Sequence, residues 1–325
     1  MEHIDFSIII PCFNSTKTIH RTLESILNQD YDLQKVELII IDDCSSDNTF
    51  EVLQGYSELN KLGLVHICRT EINLGPGVAR NKGIDLSIGR YILFLDSDDT
   101  LNSWSLIKIQ EACENGFDII LFDGQWLSQE TKIICKHAKM LNLSSIEKAK
   151  IILNLETDEH VIYSAYRRDF IHTLPKFNAG VYEDVLFSGV AYFQAKSIKH
   201  IAFVLVNKYE TPGQITGHMS PTKARDYVTS RLELSRRLED SLPQHERELT
   251  GFVESGMRGT IAVTLKKLKR DLPDPEQFNF VLKEFFLFLR GKIDKIDSVV
   301  LNHNNTSKDL EALKFYLDWK KQSNE

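Results

Sequence analysis

Residues 91–99 have the sequence Y-I-L-F-L-D-S-D-D, an apolar run of strand length followed at once by acidic residues. Four more apolar runs, rich in Ile, Val and aromatic residues, lie at 6–10, 36–41, 64–68 and 118–122. Most are apolar on both faces, which is typical of strands covered by helices on both sides. Segments with the period of an amphipathic helix separate them. This alternation predicts βαβ units, and therefore an α/β fold with a mainly parallel sheet.

The second half of the chain follows a different pattern. After about residue 129 the alternation becomes irregular, with a helix predicted over 141–155 and a strand within 196–209. From there on, the helices predicted from periodicity and from bounding Pro, Gly or Asn residues are 221–242, 244–270, 275–291 and 306–321. We therefore predict a sheet-based domain over 1–220 and a helical domain over 221–325.

The composition excludes several classes of protein. The chain is 42% hydrophobic and 26% charged, as in ordinary globular proteins. Its length of 325 residues predicts two domains. A net charge of -7 excludes a nucleic-acid binder driven by overall positive charge, and the excess acidity lies in residues 1–220. Five scattered cysteines predict reduced thiols rather than a disulfide framework or a zinc site. With no signal peptide or membrane span in view, we expect a cytoplasmic protein, or one peripheral at the inner face of the membrane.

Polar residues follow each of the first four predicted strands. The four segments are P-C-F-N (11–14), D-D-C-S-S-D-N-T (42–49), N-L-G-P-G-V-A-R-N-K-G (73–83) and D-S-D-D (96–99). In open parallel sheets, ligands bind outside the carboxyl ends of the strands. The segments therefore predict one ligand site at that edge of the sheet.

The acidic segment predicts a metal site. Alternation along an extended chain places Asp96 and Asp98 on the same side. Two carboxylates at one strand end need a counter-charge, and a hard divalent cation such as Mg²⁺ or Mn²⁺ supplies it. The alternative is a helix N-cap, the role that we predict for Asp99.

The glycine segment does not fit a dinucleotide-binding site. Gly75 and Gly77 supply the first two glycines of that fingerprint, but Arg80 stands at the third, and the segment does not follow the first strand. A guanidinium there suits a diphosphate, whose oxygens it can pair in a fixed fork. The alternative is a tight turn with a surface Arg.

Taken in order, these segments resemble the inverting family-2 glycosyltransferases. Downstream, Y-E-D-V-L-F (182–187) resembles the Glu-Asp signature of that family. Together with G-H-M-S (217–220), it is similar to wall teichoic acid N-acetylglucosaminyltransferases and related surface-polysaccharide enzymes. The resemblance implies a Rossmann-like glycosyltransferase-A fold, a three-layer α/β/α sandwich, with residues 1–220 as the catalytic domain.

The resemblance also implies site residues. Contacts to the nucleotide-sugar would come from Pro11, Phe13, Asn14, Asp42, Asp43, Asn73, Arg80, Asp96, Ser97 and Asp98. Mn²⁺ or Mg²⁺ would be held by Asp98, Asp96 and His218, although a His in such a segment is as often a surface residue. Many relatives have Tyr-Arg after the last sheet strand, where this chain has Tyr209 and Glu210. This departure leaves the diphosphate contacts and the placement of His218 open.

For catalysis, the resemblance implies that Asp184 is the general base and that Glu183 orients it. Both acids also suit the first turn of a helix, and the two roles are compatible. The expected reaction moves GlcNAc, GalNAc, Glc or Gal from a UDP-sugar to a hydroxyl of a bacterial surface glycan. That acceptor would be a capsule, lipopolysaccharide, teichoic acid or glycoprotein glycan.

Two rival functions remain open at this stage. Residues 92–101 also fit a haloacid-dehalogenase-type phosphatase, with Asp96 as nucleophile and Asp98 as general acid. A non-catalytic nucleotide-sugar-binding protein is the other rival. For the helical domain, the nearly all-apolar 278–289 and the basic 266–270 suggest internal packing, a homo-oligomer interface, or contact with an acceptor or membrane.

Overall fold

The structure, a computed structural model, describes residues 3–127, 132–134, 140–157, 160–180, 182–210, 218–243 and 252–290. It divides into two compact units. The first comprises Met1–Asn142 and Thr157–Pro212, and the second comprises Leu143–Glu156 and Gly213–Glu325.

The first unit contains one sheet of nine strands within the described ranges. They are β1 (Phe6–Cys12), β2 (Val36–Asp42), β3 (Leu64–Arg69), β4 (Tyr91–Phe94), β5 (Thr100–Leu101), β6 (Ile119–Leu127), β7 (Lys132–Ile134), β8 (Ser164–Arg167) and β9 (Ile198–Tyr209). Their order is β3-β2-β1-β4-β8-β6-β9-β5, with β7 paired to β6. Strands β5, β7 and β8 run antiparallel to their neighbours, and the others share one direction. The predicted α/β fold with a mainly parallel sheet is confirmed.

The described helices are α1 (Ile19–Leu27), α2 (Thr49–Gln54), α3 (Pro76–Leu86), α4 (Ser105–Cys113), α5 (Ser145–Leu153), α6 (Arg168–Ile171), α7 (Glu183–Gln194), α8 (Pro221–Ser241), α9 (Phe252–Asp271) and α10 (Pro275–Arg290). Every residue of β1, β2 and β4 is buried, because helices cover both faces of the sheet. The predicted helix over 306–321 lies outside the described residues.

The register of the first strands creates the predicted polar edge. Cys12 pairs with Asp42, and Asp42 pairs with Arg69, so β1, β2 and β3 end side by side. On the other side of β1, Ile9 pairs with Phe94, which brings the end of β4 to the same edge. Four loops therefore leave the sheet next to one another, as the sequence predicted.

The second unit differs from the predicted domain of 221–325, because α5 belongs to it. Ser144 begins α5 with a capping box to Glu147. The buried guanidinium of Arg231 in α8 donates to the carbonyls of Ile152 and Leu153, 3.0 Å away in each case, where α5 ends. It also donates to Thr260 Oγ1 in α9 at 3.3 Å. These bonds explain why a helix distant in sequence packs with the C-terminal ones.

Among the helices in the described ranges, none combines the length and the apolar character that a membrane span requires.

Candidate active site

The loops after β1 and β2 hold each other through Asn14. Asn14 has a left-handed backbone (φ 51°), and its Oδ1 accepts hydrogen bonds from Ser46 N at 2.8 Å and from Ser46 Oγ at 3.2 Å. Its own backbone N–H donates to Ser45 Oγ at 2.9 Å. Asn14 therefore fixes the shape of this part of the edge. Neighbouring Phe13 is half exposed.

The two acids that end β2 make different contacts within the protein. Asp42 is fully buried, and its carboxylate accepts a hydrogen bond from Ser45 Oγ and forms an ion pair with Arg69, whose Nε lies 3.2 Å away. Asp43 accepts from the backbone N–H groups of Leu74 at 3.0 Å and Gly75 at 2.6 Å. Asp43 thus shapes the turn that leads into α3, where Gly75 has a φ of 87° that favours glycine.

Three carboxylates gather after β4. Oxygens of Asp96, Asp98 and Asp99 lie within 4.8 Å of one another. Such a group of oxygen donors fits a hard divalent cation, so the residues present are compatible with the predicted Mn²⁺ or Mg²⁺. The backbone of this turn is also fixed, since Arg21 Nε donates to the carbonyl of Asp98 at 3.1 Å. The guanidinium of Arg21 lies 4.0 Å from the centre of the Tyr209 ring.

Lys208 of β9 supplies a positive charge to this acidic group. Its Nζ lies 3.3 Å from Asp96 Oδ2 and 3.1 Å from Asp99 Oδ2, and the lysine is buried. Burial favours the neutral amine, but the carboxylates of Asp96 and Asp99 raise the pKa of Lys208. Sequence reasoning missed this residue. The available signal was a charged side chain within the mostly apolar run I-A-F-V-L-V-N-K-Y (201–209).

The prediction that Asp99 caps a helix is wrong. Asp99 is fully buried, pairs with Lys208 and accepts from Tyr209 N at 3.0 Å. Because β5 intervenes and pairs with β9, helix α4 begins only at Ser105. Burial raises the pKa of Asp99 to about 7, against the opposing effect of Lys208.

Arg80 connects the acidic group to helix α7. Its Nη2 donates to Asp96 Oδ1 at 2.8 Å, and its Nη1 donates to Glu183 Oε1. Burial disfavours its charge, but Glu183, Asp96 and Asp184 together raise the pKa of Arg80. On Asp96, Lys208 and Arg80 outweigh the effect of burial and lower the pKa to about 2. Arg80 is buried, so the alternative of a surface Arg in a tight turn is wrong.

The Glu-Asp pair begins α7, in the first turn as predicted. Tyr182, just before it, has a left-handed backbone (φ 66°), so the chain turns sharply into the helix. Burial raises the pKa of Glu183 to about 7, although Arg80 opposes the rise. Glu183 is buried beside Arg80, whereas Asp184 is partly exposed. This difference is compatible with an orienting role for Glu183 and a proton-accepting role for Asp184, and both stay predictions.

The remaining predicted residues have varied surroundings. Pro11 is buried in β1, Ser97 Oγ lies 2.7 Å from Ser15 Oγ, and Asn73 is exposed. His218 is exposed in the second unit, with Nδ1 3.8 Å from Asp271 Oδ1. Its role as a metal ligand stays a prediction, and so do the nucleotide contacts.

The sequence matches a family model and several curated proteins. A family model described as glycosyl transferase family 2 matches residues 7–174, just over half of the chain. Among curated proteins, the poly(ribitol-phosphate) β-N-acetylglucosaminyltransferase TarS of Staphylococcus aureus is 39% identical over 227 residues. The alignment covers 66% of this chain and 38% of TarS, so the chain spans well under half the length of that relative.

Solved structures agree with the fold. Residues 1–349 of S. aureus TarS, in complex with UDP-GlcNAc, match with a TM-score of 0.65 at 22% identity, covering 91% of this chain and 89% of that one. The mannosyltransferase PcManGT of Pyrobaculum calidifontis, with GDP-Man and Mn²⁺, matches with a TM-score of 0.57 at 12% identity. That match covers 98% of this chain and 88% of the other. Likeness at these identities concerns the fold alone, and the predicted glycosyltransferase fold is confirmed.

Proposed function

The chain belongs to glycosyl transferase family 2, and from that premise we propose that it transfers a sugar from a UDP-sugar to a hydroxyl group of a bacterial surface glycan. N-acetylglucosamine is the sugar that we favour, because TarS, a poly(ribitol-phosphate) N-acetylglucosaminyltransferase, was solved with UDP-GlcNAc. The observation that carries the proposal is the Arg80 bridge between Asp96 and Glu183. This bridge brings Asp96, which we propose as a ligand of the donor's metal ion, to the same site as Glu183 and Asp184, which we propose for catalysis.

The donor would lie along the edge formed by the loops after β1 to β4. Asn14 and Asp43 shape these loops through their hydrogen bonds to neighbouring backbone N–H groups. Half-exposed Phe13 offers an apolar face for the base, and exposed Asn73 offers an amide. In this arrangement Asn14 and Asp43 hold the loops in shape, and the nucleoside contacts exposed side chains of the same loops.

Asp96 and Asp98 would hold Mn²⁺ or Mg²⁺ against the diphosphate. When bound, the ion stabilises the negative charge on the departing nucleoside diphosphate. Arg21 keeps the Asp98 backbone in position, and Arg80 donates a hydrogen bond to Asp96.

The proposed base is Asp184, one residue into α7. It takes the proton of the acceptor hydroxyl as that oxygen bonds to the anomeric carbon. The bond from this carbon to the diphosphate oxygen breaks in the same step, and the nucleoside diphosphate leaves with the electron pair. Attack opposite the leaving group inverts the anomeric centre. The buried Glu183–Arg80 pair would keep the start of α7, and with it Asp184, in place.

A donor screen with an inactive variant tests the proposal. Wild-type protein with Mn²⁺ is incubated with UDP-, GDP- and dTDP-sugars, and nucleoside diphosphate release is measured with and without teichoic acid and other surface glycans. We expect release from a UDP-sugar that the acceptor stimulates. Asp184→Asn should lower it by about 10²–10⁴-fold while UDP still binds.

Asp85→Asn serves as the control, since Asp85 is an exposed acid on α3 and should leave release unchanged. Phosphate release from p-nitrophenyl phosphate without any transfer would instead support the phosphatase. UDP binding without turnover of any donor would support the non-catalytic rival.

A further inference from the structure

Lys208 has no part in the transfer described above, yet it contacts the centre of the site. Its ammonium lies 3.3 Å from Asp96 Oδ2 and 3.1 Å from Asp99 Oδ2, and both carboxylates belong to the three-carboxylate group. Only 8% of its side chain is exposed, so water screens the charge weakly. The ring centre of Trp126 lies 5.5 Å from Nζ. A buried ammonium therefore already neutralises part of the group that would hold the divalent ion.

Charges at such short range affect each other strongly. A divalent cation among these carboxylates would lie close to the Lys208 ammonium, and the repulsion is large in a partly buried site. The backbone of Lys208 is fixed by its pairing with Trp126 of β6, and its side chain is enclosed by the protein. Among the described side chains, Arg80 and Lys208 interact electrostatically with the acids Asp96, Asp98, Asp99, Glu183 and Asp184.

We propose that Lys208 is an internal counter-cation that weakens the binding of a free divalent ion and makes that binding depend on the nucleoside diphosphate. Without nucleotide, the ammonium satisfies Asp96 and Asp99 in place of a metal ion. The diphosphate brings further negative charge and ligand oxygens, which offset the repulsion between Lys208 and the ion. Metal and nucleotide then strengthen each other's binding by the same factor, as linkage requires. This inference rests on the proposed function.

Binding of Mn²⁺ alone, measured by isothermal titration calorimetry without any sugar, tests the role of Lys208. Lys208→Met should tighten Mn²⁺ binding by about tenfold or more, since it removes one positive charge and keeps the apolar stem. Lys208→Arg keeps the charge and should remain within about threefold of wild type. Lys199→Met is the matched control, because Lys199 is an exposed lysine on the same strand, and it should leave the affinity unchanged. Mn²⁺ binding to Lys208→Met that is no tighter than to wild type, or equally tight in Lys199→Met, overturns the proposal.

A second measurement needs no variant and so is independent of folding defects. Wild-type protein should bind Mn²⁺ about tenfold or more tightly in the presence of UDP than in its absence. Equal affinity in the two conditions overturns the counter-cation role and leaves the transferase proposal standing. Failure to bind UDP at all, with or without Mn²⁺, would overturn the UDP-sugar proposal and this inference with it.

Discussion

The guanidinium of Arg80 donates a hydrogen bond to Asp96 Oδ1 at 2.8 Å, which ties helix α3 to the end of strand β4. With its other Nη it pairs with Glu183. Asp96 and Glu183 would repel each other without this cation, because the guanidinium contacts both carboxylates. A single guanidinium therefore determines where the two acidic segments of the site stand.

Arg80→Lys tests whether the two-pronged geometry matters as well as the charge. An ammonium cannot bridge both carboxylates as the planar fork does, so one of the two acids would lose its contact at position 80. We expect the free energy of unfolding to fall by about 2–4 kcal/mol and turnover to fall by about 100-fold. Urea unfolding and initial rates measure these effects. Lys176→Met, which breaks the exposed pair with Asp85, should cost less than about 1 kcal/mol. Equal losses in the two variants would contradict the special role of Arg80.

Glu183 should make stability depend on pH in a defined direction. Burial raises its pKa to about 7 from an ordinary 4.5. Below about pH 4.5 the Glu183 carboxyl is protonated in both the folded and the unfolded state, so its raised pKa does not affect the free energy of unfolding. Above about pH 7 the carboxyl is ionised in both states, and its burial lowers the free energy of unfolding by the full amount. Glu183→Gln should therefore gain stability relative to wild type as the pH rises from 5 to 8, by about 1–3 kcal/mol. Urea titrations at both pH values check this. A difference that stays constant or shrinks with pH would contradict it.

Asp98 is predicted to matter for the nucleotide only when metal is present. Asp98→Asn removes one charged oxygen ligand from the three-carboxylate group. The affinity for UDP in the presence of Mn²⁺ should fall by about tenfold or more. Titration calorimetry in EDTA provides the control, where wild type and variant should bind UDP alike. A loss of the same size in EDTA would mean that Asp98 acts on the nucleotide without a metal ion.

The sequence predicted the parts of the site that depend on local pattern. The strands around Asp96, the common side of Asp96 and Asp98, and the start of α7 at Glu183 all follow from periodicity or from motif. Lys208 was missed because its contacts join residues 109 and 112 positions apart, and no local period reports such a pairing. The nucleoside contacts of Asp42 and Asp43 stay predictions, and the structure adds that both carboxylates also have partners within the protein.

The domain boundary depended on tertiary packing in the same way. Helix α5 is predicted correctly as a helix, with observed bounds Ser145–Leu153. Nothing in its sequence assigns it to the C-terminal unit. Its packing against α9 and the hydrogen bonds that it receives from Arg231 join residues distant in the chain.

Arg231 is therefore expected to hold the second unit together. Its guanidinium is fully buried and satisfies the carbonyls of Ile152 and Leu153. Arg231→Met keeps most of the apolar stem but leaves these two buried acceptors without that donor, a loss of about 2–4 kcal/mol. Circular dichroism at 222 nm should show earlier melting of the helical signal. Arg237→Met on the same helix breaks an exposed pair with Glu233 and should change stability by less than about 0.5 kcal/mol. Equal melting of the two variants would mean that α5 is held by its apolar contacts alone.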